Sequence, residues 1–309
     1  IEGQGELQLP SGLAVPEWLG HALASENGFT AAFFGRMLYS CLVDADFLDT
    51  ERFVDPERSA QRPNWPTNLW RRMEQALDAT VEEFGTPRTV VDRQRQRVRA
   101  DCLAAAGQST GFFSLTVPTG GGKTLASLAF ALRHARIHGL SRVIYVMPFT
   151  SIIEQNAGVF RKVMRGLSDE FGEVVVEHHS NFDAEKETVR TRLASENWDA
   201  PLVATTAVQF YESLFANRSR PCRKLHNMAR AVIVLDEVQT LPVDFLRPCL
   251  DALRELAEHY GSTVVLCTAT QPAIENRPDF SIGLSGVRRI VRESAALYRN
   301  LKRVAVGRL

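Results

Sequence analysis

A glycine-rich run at residues 117–124 combines residue types that can bind phosphate. Its three consecutive glycines let the backbone approach phosphate oxygens and point N–H groups at them. An apolar run, Phe112–Thr116, precedes it as a strand would, and residues 125–132 after it have the composition of a helix. The N-terminus of such a helix adds partial positive charge at the same place. The sequence therefore predicts a strand, a loop and a helix that together hold the phosphates of a nucleotide.

The residues of this loop divide between phosphate binding and metal binding. Lys123 can reach the β- and γ-phosphates of ATP, and the Thr124 hydroxyl can ligate Mg²⁺. The positions predicted to line the phosphates are Thr119, Gly120, Gly121 and Gly122. The strict pattern has glycine where this chain has Val117. The alternative interpretation is a glycine-rich turn before an ordinary helix, with no nucleotide bound.

An acidic pair, Asp236 and Glu237, follows the apolar run at residues 231–235. Asp236 can hold Mg²⁺ through water, and Glu237 can polarise the attacking water as general base. The pair alone is weak evidence. Together with the glycine-rich loop and the catalytic Lys123 it predicts ATP hydrolysis.

Three polar residues beyond the last two apolar runs are candidates for sensing the nucleotide. Gln239 follows the acidic pair, while Thr268 and Thr270 follow the run at residues 263–267. Their polar groups can hydrogen-bond one another or the acids, and so couple nucleotide state to the rest of the protein. Threonine is also ordinary at strand ends, so the alternative is a purely structural role.

Short apolar runs alternate with helical stretches from residue 112 onward. The runs lie at residues 112–117, 143–147, 174–176, 202–205, 231–235 and 263–267. The helical stretches lie near residues 123–138, 150–166, 183–197, 206–216 and 242–260. Continuous Val, Ile and Leu strands separated by helices predict an α/β fold, with a parallel sheet covered by helices on both faces. Strand-to-helix loops then collect at one edge of the sheet, where ligands bind.

The segment before residue 60 is predicted to be mostly helical. Residues 29–43 are apolar at helical spacing and run into an acid-rich stretch at residues 43–51. One interpretation of that stretch is a solvated helix end. The alternative is that one carboxylate ligates a metal ion, which would require histidine or further acidic partners. His21 is the single histidine before residue 134, so the sequence itself does not supply those partners.

Prolines interrupt residues 61–90, which are therefore predicted to form a connector with one amphipathic helix near residues 70–84. Two basic stretches have two interpretations each. Residues 92–99 form either a solvated helix face or a site for adenine. Residues 217–224 form either a solvated loop or a contact for phosphates of nucleic acid.

Two adjacent histidines and four aromatic residues are assigned to packing. For His178 and His179, surface or packing roles are favoured over metal binding. Core positions, rather than base-stacking platforms, are predicted for Phe149, Phe210, Tyr211 and Phe215.

Composition and charge narrow the class of protein. The 309 residues are 45% hydrophobic and 23% charged, which is typical of a soluble globular chain of about two domains. The five cysteines are scattered without a C-x-x-C pair, which argues against a zinc site or disulfide framework and favours a reducing cytoplasm. With neither a long apolar run nor a secretory signal, no membrane association is expected. Because the net charge is +0, any attraction to nucleic acid must come from local patches.

Residues 118–124, 236–239 and 268–270 resemble motifs I, II and III of superfamily 2 helicases. Between them, residues 147–155 resemble motif Ia and residues 205–206 resemble motif Ib. In that superfamily these two motifs grip the sugar–phosphate backbone, which supplies affinity without reading bases. The resemblance implies nucleic-acid contacts at Pro148, Thr150, Ser151, Thr205 and Thr206.

The chain more narrowly resembles the signature helicase–nuclease of type I CRISPR–Cas systems. This resemblance rests on residues 40–46, 179–180 and 223–227, and on the glutamine of 236–239. Residues 40–46 are similar to the last metal-ligand motif of that family's histidine–aspartate (HD) nuclease domain. The resemblance implies that Asp46 is the ligand, with Asp44 as the alternative, and that a completed site holds a divalent transition metal (Mn, Ni, Co or Fe).

The resemblance also implies an order of domains. Residues 1–60 correspond to the C-terminal part of the HD nuclease domain, residues 61–90 to a connector, and residues 91–309 to the first RecA-like helicase lobe. The family's HD histidines and its second RecA-like lobe have no counterpart in this sequence, so both activities are expected to be incomplete here. Loss of an arginine finger from the second lobe would slow hydrolysis by about 10³–10⁵.

The implied activity is ATP-dependent translocation on single-stranded DNA, linked to a metal-dependent nuclease that degrades DNA in CRISPR interference. The implied partners are single-stranded DNA, an RNA-guided CRISPR surveillance complex and, as a further candidate, a phage-encoded inhibitor. Two alternatives stay open. One is a different superfamily 2 helicase acting on RNA or in repair, against which residues 40–46 argue. The other is a nucleotide-binding docking module without turnover.

Overall fold

A computed structural model describes residues 14–25, 28–179, 188–238, 243–269, 274–292 and 294–301 of the chain. The strands are β1 (Phe112–Thr116), β2 (Arg142–Met147), β3 (Val175–His178), β4 (Leu202–Thr206), β5 (Ala231–Asp236), β6 (Thr263–Thr268) and β7 (Arg288–Arg289). They form one sheet in the order β3-β4-β2-β5-β6-β1-β7, and every pairing along it is parallel. The predicted parallel sheet is therefore confirmed.

Helices connect and flank these strands. The α-helices of the described residues are α1 (Glu17–Ala24), α2 (Gly28–Val54), α3 (Pro56–Ser59), α4 (Leu69–Glu82), α5 (Val90–Ala105), α6 (Lys123–His138), α7 (Thr150–Phe171), α8 (Val189–Asn197), α9 (Ala207–Phe215), α10 (Ser219–Cys222), α11 (Leu246–Glu258) and α12 (Ser294–Asn300). Short 3₁₀ helices lie at His226–Met228 and Val243–Phe245. Among the helices described, none has both the length and the apolar character needed to cross a bilayer.

Alternate residues of the central strands face opposite layers of the fold. On β2, Val143 and Tyr145 belong to one buried cluster, while Ile144 belongs to the other. This alternation follows from the pleat of a strand, which turns successive side chains to opposite faces. The first cluster includes residues of α4, α5, α6 and α7, and the second includes residues of α2, α9 and α11. Helices therefore cover both faces, as predicted for the α/β fold.

Helix α2 packs on the second face of the sheet. Phe33 and Met37 are buried in the same cluster as Ile233 of β5, and burial of a phenylalanine side chain contributes roughly 2 kcal/mol. Arg36 Nη2 donates to the Leu214 carbonyl oxygen at 2.7 Å. The N-terminal segment is helical where the structure describes it, while the domain boundaries at residues 60 and 90 stay predictions.

Two of the four aromatic residues assigned to the core are instead exposed. Phe210 is fully buried and Tyr211 is 9% exposed, as predicted, but Phe149 is 61% and Phe215 is 38% exposed. Phe149 precedes the first residue of α7, and Phe215 is the last residue of α9. Both therefore lie at helix ends, where the neighbouring layer no longer covers the side chain.

Strand order divides the carboxyl edge of the sheet into two halves. The strands β5, β6 and β1 are neighbours, and they lead to the acidic pair, to Thr268 and to the glycine-rich loop. The strands β2 and β4 are also neighbours, and they lead to the residues resembling motifs Ia and Ib. Two groups of candidate residues, far apart in sequence, are thus collected along one edge.

Candidate functional site

The glycine-rich loop connects β1 to α6 through a turn that requires glycine. Gly120 and Gly122 both have φ of 84°, in the left-handed region that side chains rarely adopt. Gly122 lies immediately before α6, and the Gly121 N–H donates to the Pro118 carbonyl oxygen at 3.0 Å. The loop therefore has a defined turn that ends at the N-terminus of a 16-residue helix.

Close packing inside the loop excludes a side chain at Gly121. A Cβ atom there would lie 2.5 Å from Val117 Cγ1 and 3.0 Å from the Pro118 carbonyl oxygen. Val117, which replaces the glycine of the strict pattern, is fully buried. Its side chain therefore packs into the core beneath the loop.

Arg95 of α5 lies across this loop and was not singled out by the sequence. Its Nε donates to the Gly120 carbonyl oxygen at 2.9 Å. Its Cγ lies 3.0 Å from the position that a Gly122 Cβ would take. The N-terminus of α5 is fixed by a capping box, in which Thr89 and Asp92 each bond the other's backbone N–H. Of the two interpretations of residues 92–99, neither included this contact with the loop.

Lys123 lies between the two carboxylates of the acidic pair. Its Nζ is 2.9 Å from Asp236 Oδ1 and 2.8 Å from Glu237 Oε1. Burial acts to lower the pKa of Lys123, but the neighbouring carboxylates, chiefly Asp236, raise the pKa overall. The ammonium group is therefore charged at neutral pH, and the strand order has brought three predicted catalytic residues together. Glu237 has φ of 52°, which places this residue in the left-handed region.

Thr124 is connected to helix α7 through Asn156. The Thr124 hydroxyl donates to Asn156 Oδ1 at 3.2 Å, and Asn156 Nδ2 contacts Met147 Sδ at 3.5 Å. Helix α7 begins at Thr150, within the segment that resembles motif Ia. Asn156 therefore joins the predicted metal ligand to the predicted nucleic-acid contacts. In the sequence it is one polar residue within an amphipathic helix, and nothing in its spacing distinguishes it.

Of the three candidate coupling residues, the structure describes Thr268. Thr268 is the last residue of β6, is fully buried and lies opposite Thr116 of β1. It therefore lies beside the start of the glycine-rich loop, and its carbonyl oxygen accepts from the Val117 N–H at 3.1 Å. Gln239 and Thr270 lie outside the described residues.

The candidate nucleic-acid contacts lie at the ends of β2 and β4. Met147 and Thr206 are opposite each other in the sheet, so the two motifs are adjacent. The Thr205 hydroxyl is already used, because it donates to the His178 carbonyl oxygen at 2.8 Å. The Thr206 hydroxyl accepts from the Gln209 N–H at 3.0 Å and caps α9. The candidate residues that follow β2 are more exposed than those at the end of β4. Pro148 and Thr150 are half-buried, and Ser151 is exposed.

The two candidate metal ligands in α2 have different environments. Asp44 is 4% exposed, and its carboxylate accepts from Arg223 Nε at 2.7 Å and from Asn197 Nδ2 at 3.0 Å. Asp46 is exposed. In the described part of the chain, no three His, Cys, Asp or Glu side chains come together so as to hold a metal ion. Asp44 instead fixes α2 to the segment before β5.

The adjacent histidines lie at the end of β3. Burial lowers the pKa of His178 to about 3, so the ring is neutral at physiological pH. His179 is 7% exposed, and its Nε2 is 3.5 Å from Glu177 Oε2. These environments are consistent with the packing roles that the sequence favoured.

The fold and the site together define a class of protein. The sheet is parallel, a glycine-rich loop follows β1, and the lysine after that loop contacts the acids at the end of β5. These features define the nucleotide-binding lobe of a RecA-like NTPase. The model of the DEAD/DEAH box helicase family matches residues 96–277. The chain therefore belongs to the DEAD/DEAH box helicases.

Individual relatives extend this comparison. The chain is 30% identical over 207 residues to the CRISPR-associated nuclease/helicase Cas3 of Haloferax volcanii, a match covering 59% of this chain and 22% of that protein. Among solved structures, T. fusca Cas3 with ADP is 18% identical, with a TM-score of 0.48, over 60% of this chain and 22% of that one. The DEAD-box helicase Mss116 bound to ssRNA and UDP-BeF is 17% identical, with a TM-score of 0.44, over 70% and 46%. The chain thus spans about a fifth of the length of its Cas3 relatives.

Proposed function

We propose that this chain supplies the ATP-binding lobe of a helicase that translocates on single-stranded DNA. The observation that carries the proposal is the grouping of Lys123 with Asp236 and Glu237, within 2.9 Å, beside a tightly turned glycine loop. Membership of the DEAD/DEAH box family supports ATP as the nucleotide. The choice of DNA rather than RNA as the strand rests on the resemblance of residues 40–46 to the helicase–nuclease of type I CRISPR–Cas systems.

The residues of the site fit ATP with Mg²⁺. The turn at Gly120–Gly122 requires glycine and brings backbone close to the space where phosphates would lie. Thr124 and Asp236 carry the oxygen ligands that Mg²⁺ prefers, and the ion supplies charge neutralisation on the phosphate oxygens. Lys123 would exchange its contact with the acids for the phosphates, and Glu237 would then be free to accept a proton from water.

Residues along the same edge are proposed to hold the strand and to couple it to the nucleotide. Ser151 and Thr150 present hydroxyls at the start of α7, while the start of α9 presents backbone N–H groups next to Thr206. Such groups bind phosphates without reading bases. Gln239, Thr268 and Thr270 are proposed to transmit nucleotide state between these contacts and the acidic pair.

We further propose that the parent protein couples this motor to an HD nuclease in CRISPR interference, in the cytoplasm. The similarity to a relative named as a nuclease/helicase supports this, as does the string at residues 40–46. In that setting Asp46 would ligate Mn, Ni, Co or Fe together with residues from elsewhere in the domain. The surveillance complex and a phage-encoded inhibitor are the proposed protein partners.

Nucleotide binding is the decisive experiment. A fluorescent ATP analogue should bind the chain in the presence of Mg²⁺, and EDTA should weaken its binding. Glu237→Gln should leave this binding intact, because the substitution changes only the proposed general base. A wild-type chain that binds no nucleotide would contradict the proposal, and tighter binding of a labelled RNA oligonucleotide than of the matching single-stranded DNA would contradict the choice of DNA.

A further inference from the structure

A second cavity, of about 850 Å³, lies beside the end of β3 and away from the ATP site. Its walls come from the second half of α2, from α3, from α8 and from the segment around α10. Five cationic side chains line it, namely Arg58, Arg192, Arg220, Arg223 and Lys224. The basic stretch at residues 217–224 thus contributes three of these five cations, two of them buried.

Most carboxylates of this cavity are already neutralised by arginines. The pairs are Glu51 with Arg62 at 2.7 Å, Glu196 with Arg58 at 2.8 Å, and Glu177 with Arg161 at 2.5 Å. Arg223 is likewise committed to Asp44. Because each of these ion pairs combines one acid with one arginine, the paired residues contribute little net charge to the cavity.

Lys224 is the exception, because it is buried without an anionic partner. It is 7% exposed and lines the cavity. Within the described part of the chain, no carboxylate lies within 4.0 Å of its ammonium group, the limit for an ion pair. Burial, together with the charge of Arg223, lowers the pKa of Lys224 to about 8, although the more distant Glu196 carboxylate acts to raise it. A buried, unpaired ammonium is costly, and an anion entering the cavity would remove that cost.

The surroundings of Lys224 favour a phosphate group over a carboxylate ligand. Arg192 and Arg220 also line the cavity, are exposed and form no ion pair among the described residues. Three unpaired cations suit a ligand that carries several anionic oxygens. The cavity also adjoins β4, because His178 lies opposite Thr205 and accepts its hydroxyl hydrogen bond.

We propose that this cavity binds a phosphate group of a nucleic-acid strand, with Lys224 as the buried contact and with Arg192 and Arg220 as exposed contacts. The inference rests on the proposed function, since the strand would reach the cavity from the contacts at the ends of β2 and β4. Asp46 lines the same cavity and takes part in none of the pairs above. Its carboxylate would repel a bound phosphate. Removing this charge should therefore strengthen binding, whereas removing the Lys224 charge should weaken it.

The primary test measures binding of a fluorescein-labelled single-stranded oligonucleotide, by anisotropy, in EDTA and without nucleotide. Lys224→Met should weaken binding about fivefold at low salt and reduce the slope of log K against log salt by about 1. Lys224→Arg should retain most of the affinity, because it keeps the charge. Lys162→Met, which removes an exposed lysine from α7, is the matched control and should leave the slope unchanged.

Two further measurements separate binding from folding. Lys224→Met should raise the melting temperature, because it removes a buried charge while keeping the apolar stem, so that weaker binding could not come from unfolding. Asp46→Asn should tighten oligonucleotide binding about twofold. Oligonucleotide affinity and salt slope that are the same in Lys224→Met as in wild type would overturn the proposal.

The source of the phosphate is tested separately with inorganic phosphate. Stabilisation of the wild type but not of Lys224→Met by phosphate, with oligonucleotide affinity unchanged, would assign the cavity to a free anion and overturn the assignment to a strand. A wild-type chain that binds no oligonucleotide would instead contradict the proposed function. In that case, phosphate-dependent stabilisation through Lys224 would still show an anion site, so the two failures are distinguishable.

Discussion

Two lysines of this lobe, the half-buried Lys123 and the buried Lys224, have pKa values shifted in opposite directions. Burial acts to lower the pKa of each. Lys123 has two carboxylates within 2.9 Å, and its pKa rises. Lys224 has none within ion-pair distance in the described residues, and its pKa falls to about 8. The difference lies in the partners and not in the lysine.

This contrast indicates how each site responds to an anion. At the proposed ATP site, a phosphate would displace the acids that already pair with Lys123, and its arrival would release Asp236 and Glu237 for the roles proposed for them. At the second cavity, a phosphate would meet an unsatisfied charge and displace nothing. The arrangement at Lys123 suits a site that switches between two sets of contacts. The arrangement at Lys224 suits a site that binds its ligand without rearrangement.

The largest expected effect concerns Arg223, the residue next to Lys224 that does have a buried partner. Arg223→Met should lower the free energy of unfolding by about 3–5 kcal/mol, because it leaves the Asp44 carboxylate buried without its cation. Urea unfolding followed by circular dichroism measures this change. The double variant Asp44→Asn/Arg223→Met should lose less than the single variant, since no charge is then stranded. A loss below about 1 kcal/mol in the single variant would indicate that Lys224 replaces the missing cation.

The pH dependence of the unfolding free energy tests whether the Lys224 ammonium is buried without an anionic partner. The folded pKa is about 8, and the unfolded value is about 10.4. Below pH 8 the ammonium is present in both states and its burial penalty is complete. Between these values the unfolded state binds more protons, so stability rises with pH, by on the order of 3 kcal/mol in total. The difference in unfolding free energy between wild type and Lys224→Met should shrink over this range, and a constant difference would contradict the assignment.

The same substitution at Lys123 should have the opposite effect on stability. Lys123→Met leaves Asp236 and Glu237 facing each other without their cation, so the melting temperature should fall. Affinity for ATP with Mg²⁺ should drop about a hundredfold, as expected for loss of a charged phosphate contact. Titration of a fluorescent ATP analogue measures this loss. Lys224→Met serves as the matched control, and its nucleotide affinity should equal that of wild type.

The contrast between the lysines also shows how far sequence reasoning reaches. The grouping of Lys123 with Asp236 and Glu237 was predictable because these residues lie in short strings at fixed spacings. The parallel sheet was predictable because its strands are continuous apolar runs. The surroundings of Lys224 depend on residues that meet only in the folded chain, such as Asp44 and Arg223, which are 179 positions apart. No local pattern encodes that pairing, so residues 40–46 and 217–224 had to be interpreted separately.

The contact between Arg95 and Gly120 was missed for a similar reason. The two residues are 25 positions apart and belong to different elements, so a basic helix face in the sequence does not reveal what it covers. The exposed Phe149 shows the converse error. Hydrophobicity alone predicted burial, but a helix end at the edge of the sheet lacks the neighbouring layer that would cover the ring.

The smallest expected effect concerns Asn156, which connects Thr124 to the helix carrying Thr150. Asn156→Ala removes the acceptor that orients the Thr124 hydroxyl, and a neutral hydrogen bond of this kind contributes about 1 kcal/mol. Affinity for ATP should therefore fall about fivefold with Mg²⁺ and change little in EDTA, because the Thr124 hydroxyl is the proposed Mg²⁺ ligand. Gln155→Ala, at the exposed neighbouring position on α7, should match wild type in both conditions. An equal loss with and without Mg²⁺ would mean that Asn156 supports the loop as a whole, and the ATP site would then communicate with α7 through packing and not through its metal ligand.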